Sequence, residues 1–224
     1  AGSSRRMGGE NKLLLEIDGV PVLARTLSAF QKCAAIRDIV LVCREQDIMP
    51  YTELAKAFSI DKLCTVTRGG ETRTESVLAG ITAAPENAVL VAVHDGARPL
   101  VGAENIVRLS DAARADGAAV LAARVTDTIK KVPNDTFSLR SRMLEDLDRP
   151  SLWAMQTPQV FHIGQIKAAY EKVLGLGMKV TDDTAAANAF GIGVTIVENI
   201  YPNPKITVPE DIARVEFMLG RAEK

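Results

Sequence analysis

Val89-Leu-Val-Ala-Val-His-Asp-Gly-Ala-Arg-Pro-Leu100 is the stretch whose reading decides the fold. A continuous apolar run that stops at His94-Asp95 predicts a strand buried on both faces, as in parallel sheets covered by helices. In open α/β sheets, ligands bind beyond the carboxyl ends of the strands, so Asp95 and Arg98 stand where a site is expected. A strand followed by a turn, with Asp95 capping the next helix and Arg98 on the surface, accounts for the same residues without a ligand.

Working outward, apolar periodicity predicts helices over Pro21–Cys33, Ile48–Phe58, Ile106–Ala115, Ile163–Leu174 and Pro209–Gly220, with another from Thr181-Asp182-Asp183 through Ala189. Strands are predicted at Asp38–Cys43, Lys62–Val66, Ala118–Arg124 and Val194–Glu198, with Asn203–Thr207 a short extended segment. Alternating strands and helices predict one α/β domain across residues 1–224, its twisted, mainly parallel sheet covered by helices on both faces. The pattern breaks at 125–149, where Pro133-Asn134-Asp135 sits between alternating residues and predicts a projecting β-hairpin arm. Exchange of such arms across a two-fold axis would bury them, which predicts a homodimer.

Composition narrows the function. With 27 Lys+Arg against 28 Asp+Glu the chain has no overall basic field, so nucleic acid is not an expected partner and any anionic ligand needs a local cluster. Cys33, Cys43 and Cys64 are an odd number without paired metal spacing, suiting reduced thiols in the cytoplasm. No apolar run approaches the roughly 18 residues of a membrane helix, so no membrane partner is expected. An apolar strand is expected ahead of Ala1.

The chain opens on a small-residue loop, Ala1-Gly-Ser-Ser-Arg-Arg-Met-Gly-Gly9, followed by Lys12 and the apolar Leu13-Leu14-Leu15. Such a loop lets backbone N–H groups approach phosphates while cations neutralise them, although the same composition suits a flexible terminus. In Gly69-Gly-Glu-Thr-Arg-Thr-Glu-Ser76, Thr72 and Glu75 fit a capping box, which leaves Gly70, Arg73 and Ser76 unexplained. Trp153 suits packing better than recognition. The two histidines and three cysteines suggest no covalent hydrolase. What recurs is cations at loop positions, Arg6, Lys12, Arg73, Arg98, Arg149 and Lys205, with one well-placed acid, which suits phosphoryl or nucleotidyl transfer.

The loop at Ala1–Met7, Gly69–Val77, Val93-His-Asp-Gly-Ala-Arg-Pro99, Val125-Thr-Asp-Thr128, Trp153-Ala-Met-Gln-Thr-Pro-Gln159, Thr181-Asp-Asp183 and Lys205–Asp211 together resemble the 2-C-methyl-D-erythritol 4-phosphate cytidylyltransferases. The resemblance implies a Rossmann-like nucleotidyltransferase domain with a dimerising arm. It also implies a reaction of the non-mevalonate isoprenoid pathway, in which methylerythritol phosphate attacks the α-phosphorus of CTP and releases pyrophosphate. Matched by motif, Arg6, Lys12 and Lys205 would be catalytic, and Ala1, Gly2, Ser3 and Ser4 would wrap the triphosphate. Gly70 and Ser76 would read cytosine beside Glu71. Asp95 would touch both substrates, with Arg98, Thr181 and Lys205 on the acceptor. Thr128 and Arg149 would reach the partner's pocket from the arm. Mg2+ is implied on the CTP phosphates, without a dedicated protein cage.

The match has departures. Ser4 stands where glycine is usual, Asn11-Lys12-Leu13 replaces Pro-Lys-Gln, Gly96 replaces alanine, and Pro204 replaces isoleucine and removes a backbone donor beside Lys205. Rival readings are a ribitol-5-phosphate cytidylyltransferase, sharing the nucleotide loop, and a CTP-sensing module without turnover.

Overall fold

The computed structural model describes residues 11–132 and 143–222. Strands β1 (Glu16–Ile17) and β2 (Val20–Pro21) form a small hairpin whose turn residues Asp18 and Gly19 both have positive φ, 48° and 71°. That is the pairing which favours an Asp-Gly turn. Helix α1 (Val22–Lys32) follows, burying Leu23, Leu27 and Phe30 along one stripe, then β3 (Ile39–Cys43), α2 (Ile48–Ala57), β4 (Leu63–Arg68) and α3 (Arg73–Thr82). Strand β5 (Leu90–Val93) leads to α4 (Ala103–Asp116), which ends at Gly117 with φ 94°, and to β6 (Ala118–Arg124). The arm holds β7 (Lys130–Lys131) and β8 (Glu145–Asp146). After it come β9 (Trp153–His162), α5 (Ile163–Gly175), α6 (Asp183–Asn188), β10 (Thr195–Glu198) and α7 (Glu210–Ala222).

The main sheet runs β10-β6-β9-β5, and β3 and β4 form a separate parallel pair. Strand β10 is parallel to β6, and β9 is antiparallel to both β6 and β5, so every strand of the main sheet except β9 points the same way. Alternation along the strands divides the core. Ala118 of β6 and Phe161 of β9 pack with Ile166 and Tyr170 of α5, whereas their neighbours Ala119 and Val160 pack with Leu109 and Ala113 of α4. Both faces are therefore covered by helices, as expected.

Two expectations change. Leu90–Val93 are half-buried rather than enclosed, because β5 ends the sheet and among the described residues pairs only with β9. Residues 153–162, where no strand is predicted from the sequence, form β9, the strand that joins β5 to β6. Its register against β6 jumps: Val120 faces Gln159, but Ala122 faces Met155. Gln156, Thr157 and Pro158 thus stand opposite Leu121 alone and bulge from the ladder, a place where proline is tolerated. The arm's base is a hairpin with Lys130 opposite Asp146 and Lys131 opposite Glu145, both pairs also joined as ion pairs. Its expected turn at Pro133-Asn134-Asp135 lies outside the described residues.

Candidate active site

Strand β5 delivers His94 and Asp95 to its carboxyl end, where the chain turns back with Arg98 N–H donating to Asp95 O at 3.0 Å. The Asp95 carboxylate meets two cations through one oxygen: Oδ2 lies 2.9 Å from Lys205 Nζ and 3.4 Å from Arg98 Nε. Burial alone would raise this carboxyl, but Lys205 and then Arg98 outweigh it and hold it below the usual carboxylate value. Arg98 Nη1 donates to the Asn203 carbonyl at 2.6 Å, and Lys12 Nζ donates to the Ile206 carbonyl at 2.7 Å. Ile206 N–H in turn donates to Ala97 O at 2.9 Å. Lys12, Asp95, Arg98 and Lys205, scattered over almost 200 positions, are thus gathered by one loop and one extended segment.

His94 organises that loop from beneath. Its Nε2 lies 3.2 Å from the Arg98 carbonyl, which can only accept, so Nε2 carries the proton and Nδ1 is left to accept from Thr157 Oγ1 at 3.1 Å. Thr157 Oγ1 accepts in turn from Asp95 N–H at 3.0 Å. Half-buried against Phe30, with ring centroids 4.9 Å apart, the imidazole has its pKa lowered by burial to about 4 and is neutral at physiological pH. It is a spacer in the loop and is not poised as a general base. The alanine usual at position 96 would also fit, since an added Cβ would meet Leu23 at an ordinary 3.5 Å.

The far side of the segment is held by Asp211, whose Oδ2 accepts from the N–H groups of Thr207 at 2.7 Å and Val208 at 3.0 Å. Burial opposes the charge on Asp211, but these N–H groups outweigh it and lower its pKa. Lys12 is set by its neighbour. Asn11 donates to Tyr51 Oη at 2.8 Å and accepts from Leu13 N–H at 3.2 Å, closing the turn that carries the lysine.

Gly70 and Glu71 line a cleft of about 420 Å³ beyond the carboxyl ends of β3 and β4, with Arg44, Glu45, Gln46, Arg68 and Gly69. Thr72 and Glu75 form the expected capping box. The glycines have a packing reason: a Cβ on Gly69 would stand 2.6 Å from Ser76 Oγ, and one on Gly70 2.3 Å from Glu75 Cβ. Ser76 is buried behind Gly70, donating to Thr72 O at 2.8 Å with the Gly70 carbonyl at 3.3 Å, so its hydroxyl faces the glycine backbone rather than lining the cleft. A larger depression of about 490 Å³, between α3 and Leu174, is mostly apolar and contains none of the residues expected at the site.

Arg73 differs from its expected place among the phosphate-facing cations. It is engaged by Asp183 through two bonds of 3.0 and 2.5 Å, and Tyr170 donates to the same carboxylate. Asp183 is fully buried, and burial together with this carboxylate raises the Tyr170 hydroxyl's pKa. Asp182, not Thr181, caps α6, accepting from Ala185 N–H at 2.9 Å, and Thr181 is exposed beside it. Thr128 and Arg149 are exposed on the arm, Arg149 donating to Thr126 O at 3.2 Å. Trp153 packs under Arg124, whose guanidinium lies 4.5 Å from the ring centroid. Ala1, Gly2, Ser3, Ser4 and Arg6 lie outside the described residues. Sequence reading missed Thr157 and Asn203; the only signal for Thr157 was its motif beside Pro158.

A family model for 2-C-methyl-D-erythritol 4-phosphate cytidylyltransferase matches residues 1–221. The chain belongs to that family. The enzyme of that name from Halalkalibacterium halodurans is 40% identical over 225 residues, covering 100% of this chain and 96% of the relative. The one from Geobacillus kaustophilus is 41% identical over 222 residues, covering 98% and 94%. The crystal structure of 4-diphosphocytidyl-2C-methyl-D-erythritol synthase from Anaerococcus prevotii superposes with a TM-score of 0.84 at 29% identity, covering 95% of this chain and 92% of that one. This member of the methylerythritol phosphate cytidylyltransferases is therefore a nucleotidyltransferase of isoprenoid biosynthesis.

Proposed function

We propose that the Asp95 cluster is where the family's two substrates meet, with CTP entering from the Gly70–Glu71 cleft and methylerythritol phosphate seated on Arg98, Lys205 and Thr181. The observation that carries this reading is the convergence of Lys12, Arg98 and Lys205 on the Asp95 loop. Asp95 is shared by two of these cations, Arg98 and Lys205, an arrangement that suits a site receiving phosphates. An acceptor phosphate already ionised at neutral pH needs no general base, in keeping with the neutral His94. Its oxygen attacks the α-phosphorus and pyrophosphate departs. Lys12 and Arg6 neutralise the charge that develops there, and Ala1–Ser4 wrap the triphosphate. The Gly70 backbone, with Ser76 bonded behind it, distinguishes cytosine, and Glu71 lies beside the nucleotide.

Among the described residues no three His, Cys, Asp or Glu side chains converge, and Asp95 Oδ2 is already shared by two cations. Such a site fits a Mg2+ that arrives with the triphosphate and is held mainly by the CTP phosphates. When bound, the ion neutralises phosphate charge. Exposed Ile129, Met143 and Leu144 on the arm support a homodimer in which Thr128 and Arg149 complete the partner's acceptor pocket. A cytoplasmic setting suits the free thiols of Cys33, Cys43 and Cys64.

The deciding experiment is Mg2+-dependent pyrophosphate release from CTP with methylerythritol phosphate or ribitol 5-phosphate as acceptor. Release with the former alone is expected. Release with ribitol phosphate alone would overturn the acceptor assignment, and saturable CTP binding without release would favour a sensor.

A further inference from the structure

Lys205 reaches Asp95 from a segment that belongs to no strand or helix, and Pro204 deprives that segment of a backbone donor. A ladder of side-chain amides holds it instead. Asn105 Nδ2 donates to Asn199 Oδ1 at 2.9 Å, and Asn199 Nδ2 donates to Gln156 Oε1 at 2.9 Å. Asn203 Nδ2 donates to the same Gln156 oxygen at 3.2 Å and to the Thr157 carbonyl at 3.0 Å.

An amide can be turned end for end, so the direction of such a ladder has to be set by groups with a single role. Three such groups are present. The Thr157 carbonyl can only accept, which makes Asn203 present its nitrogen. Tyr201 N–H can only donate, to Asn199 Oδ1 at 3.1 Å, and Arg108 can only donate, to Asn105 Oδ1 at 3.3 Å. Gln156 Oε1 is consequently an acceptor of two bonds, at the bulge of β9. Asn203 is 4% exposed, and its Oδ1 has no partner among the described residues, so its side chain is hydrogen-bonded through nitrogen alone.

We propose that Gln156 is a positioning residue for cytidylyl transfer: by accepting from Asn199 and Asn203 together, it sets where the Asn203 carbonyl takes Arg98 and where Lys205 meets Asp95. This rests on the reading that Arg98 and Lys205 serve the acceptor. Gln156 touches no reacting atom. It fixes the register of the segment that does, and its loss should fall on the acceptor and not on CTP.

Steady-state kinetics of Gln156→Met, similar in length but without the amide oxygen, test this on the full chain, with Lys205→Ala measured alongside. Acceptor kcat/KM should fall about tenfold or more, the scale of a slightly misplaced group, while KM for CTP stays within about twofold. Gln156→Glu, which keeps Oε1, should restore most of the loss. Wild-type acceptor kinetics in Gln156→Met beside an impaired Lys205→Ala would overturn the inference and leave the site reading standing. An unimpaired Lys205→Ala would overturn both. An equal loss for both substrates that Gln156→Glu does not repair would reduce Gln156 to a structural part and overturn the inference. Should Gln156→Met fail to fold, Gln156→Asn, which withdraws the acceptor by one methylene, carries the same expectations.

Discussion

Acid titration of His94 puts the loop's construction at risk. In the folded protein the imidazole is wedged between Phe30, Thr157 and the Arg98 carbonyl and has its pKa lowered by burial to about 4, against 6.5 when unfolded. A group with a depressed folded pKa stays neutral in the native state while the unfolded chain takes up its proton. Its stabilisation is therefore present above the unfolded pKa and is lost as pH falls towards the folded one. Over the whole interval this amounts to about 3 kcal/mol, of which about 2 kcal/mol disappears between about pH 7.5 and pH 5. His94→Gln keeps a donor for the Arg98 carbonyl and does not titrate. Urea unfolding of both proteins across that range should show the wild type losing about 2 kcal/mol relative to the variant. With His94 and His162 the chain's two histidines, NMR titration can assign the resonance directly. A stability difference that stays flat between the two pH values would refute the neutral imidazole.

Other perturbations probe separate parts. Lys12→Ala should lower kcat by about a hundredfold, the effect of losing one transition-state donor, with circular dichroism unchanged. Thr157→Val leaves Asp95 N–H and His94 Nδ1 without their shared hydroxyl and should cost about 1–3 kcal/mol in urea unfolding, near-wild-type stability counting against the relay. Asp183→Ala removes the buried partner of Arg73 and Tyr170; because Arg73 is itself partly exposed, the loss should sit at the lower end, about 3 kcal/mol, with a raised KM for CTP as α3 loosens. Mixing Arg149→Ala with Lys12→Ala subunits should restore activity in heterodimers if Arg149 acts across the interface, and a mixture no more active than its components would place the site within one chain.

The helices and most strands could be read from apolar spacing because each buries a face of its own. The Thr72–Glu75 capping box is a three-residue relation and equally visible. Asp95, Arg98 and Lys205 were legible by position and motif, and the chain brings them together. Thr157 was not singled out because its place depends on the β6–β9 register jump, a property of two strands that neither displays alone. Arg73 looked free for phosphate because its partner Asp183 lies 110 residues away. The amide ladder hides for the same reason, since Asn203 and Gln156 are 47 residues apart and neither is unusual in its own neighbourhood.

Apart from Asp211 on the far side of the segment, the residues that support the charged cluster are uncharged: Thr157, neutral His94, and the amides of Gln156, Asn199 and Asn203. A second carboxylate bonded directly to Arg98 or Lys205 would cancel part of the field those cations present to incoming phosphates. Bracing with dipoles keeps that field whole. Above the range in which His94 protonates, the brace also exchanges no protons with solvent, so ionic strength and mild acidity act on the pocket's attraction for its substrates without disturbing its shape.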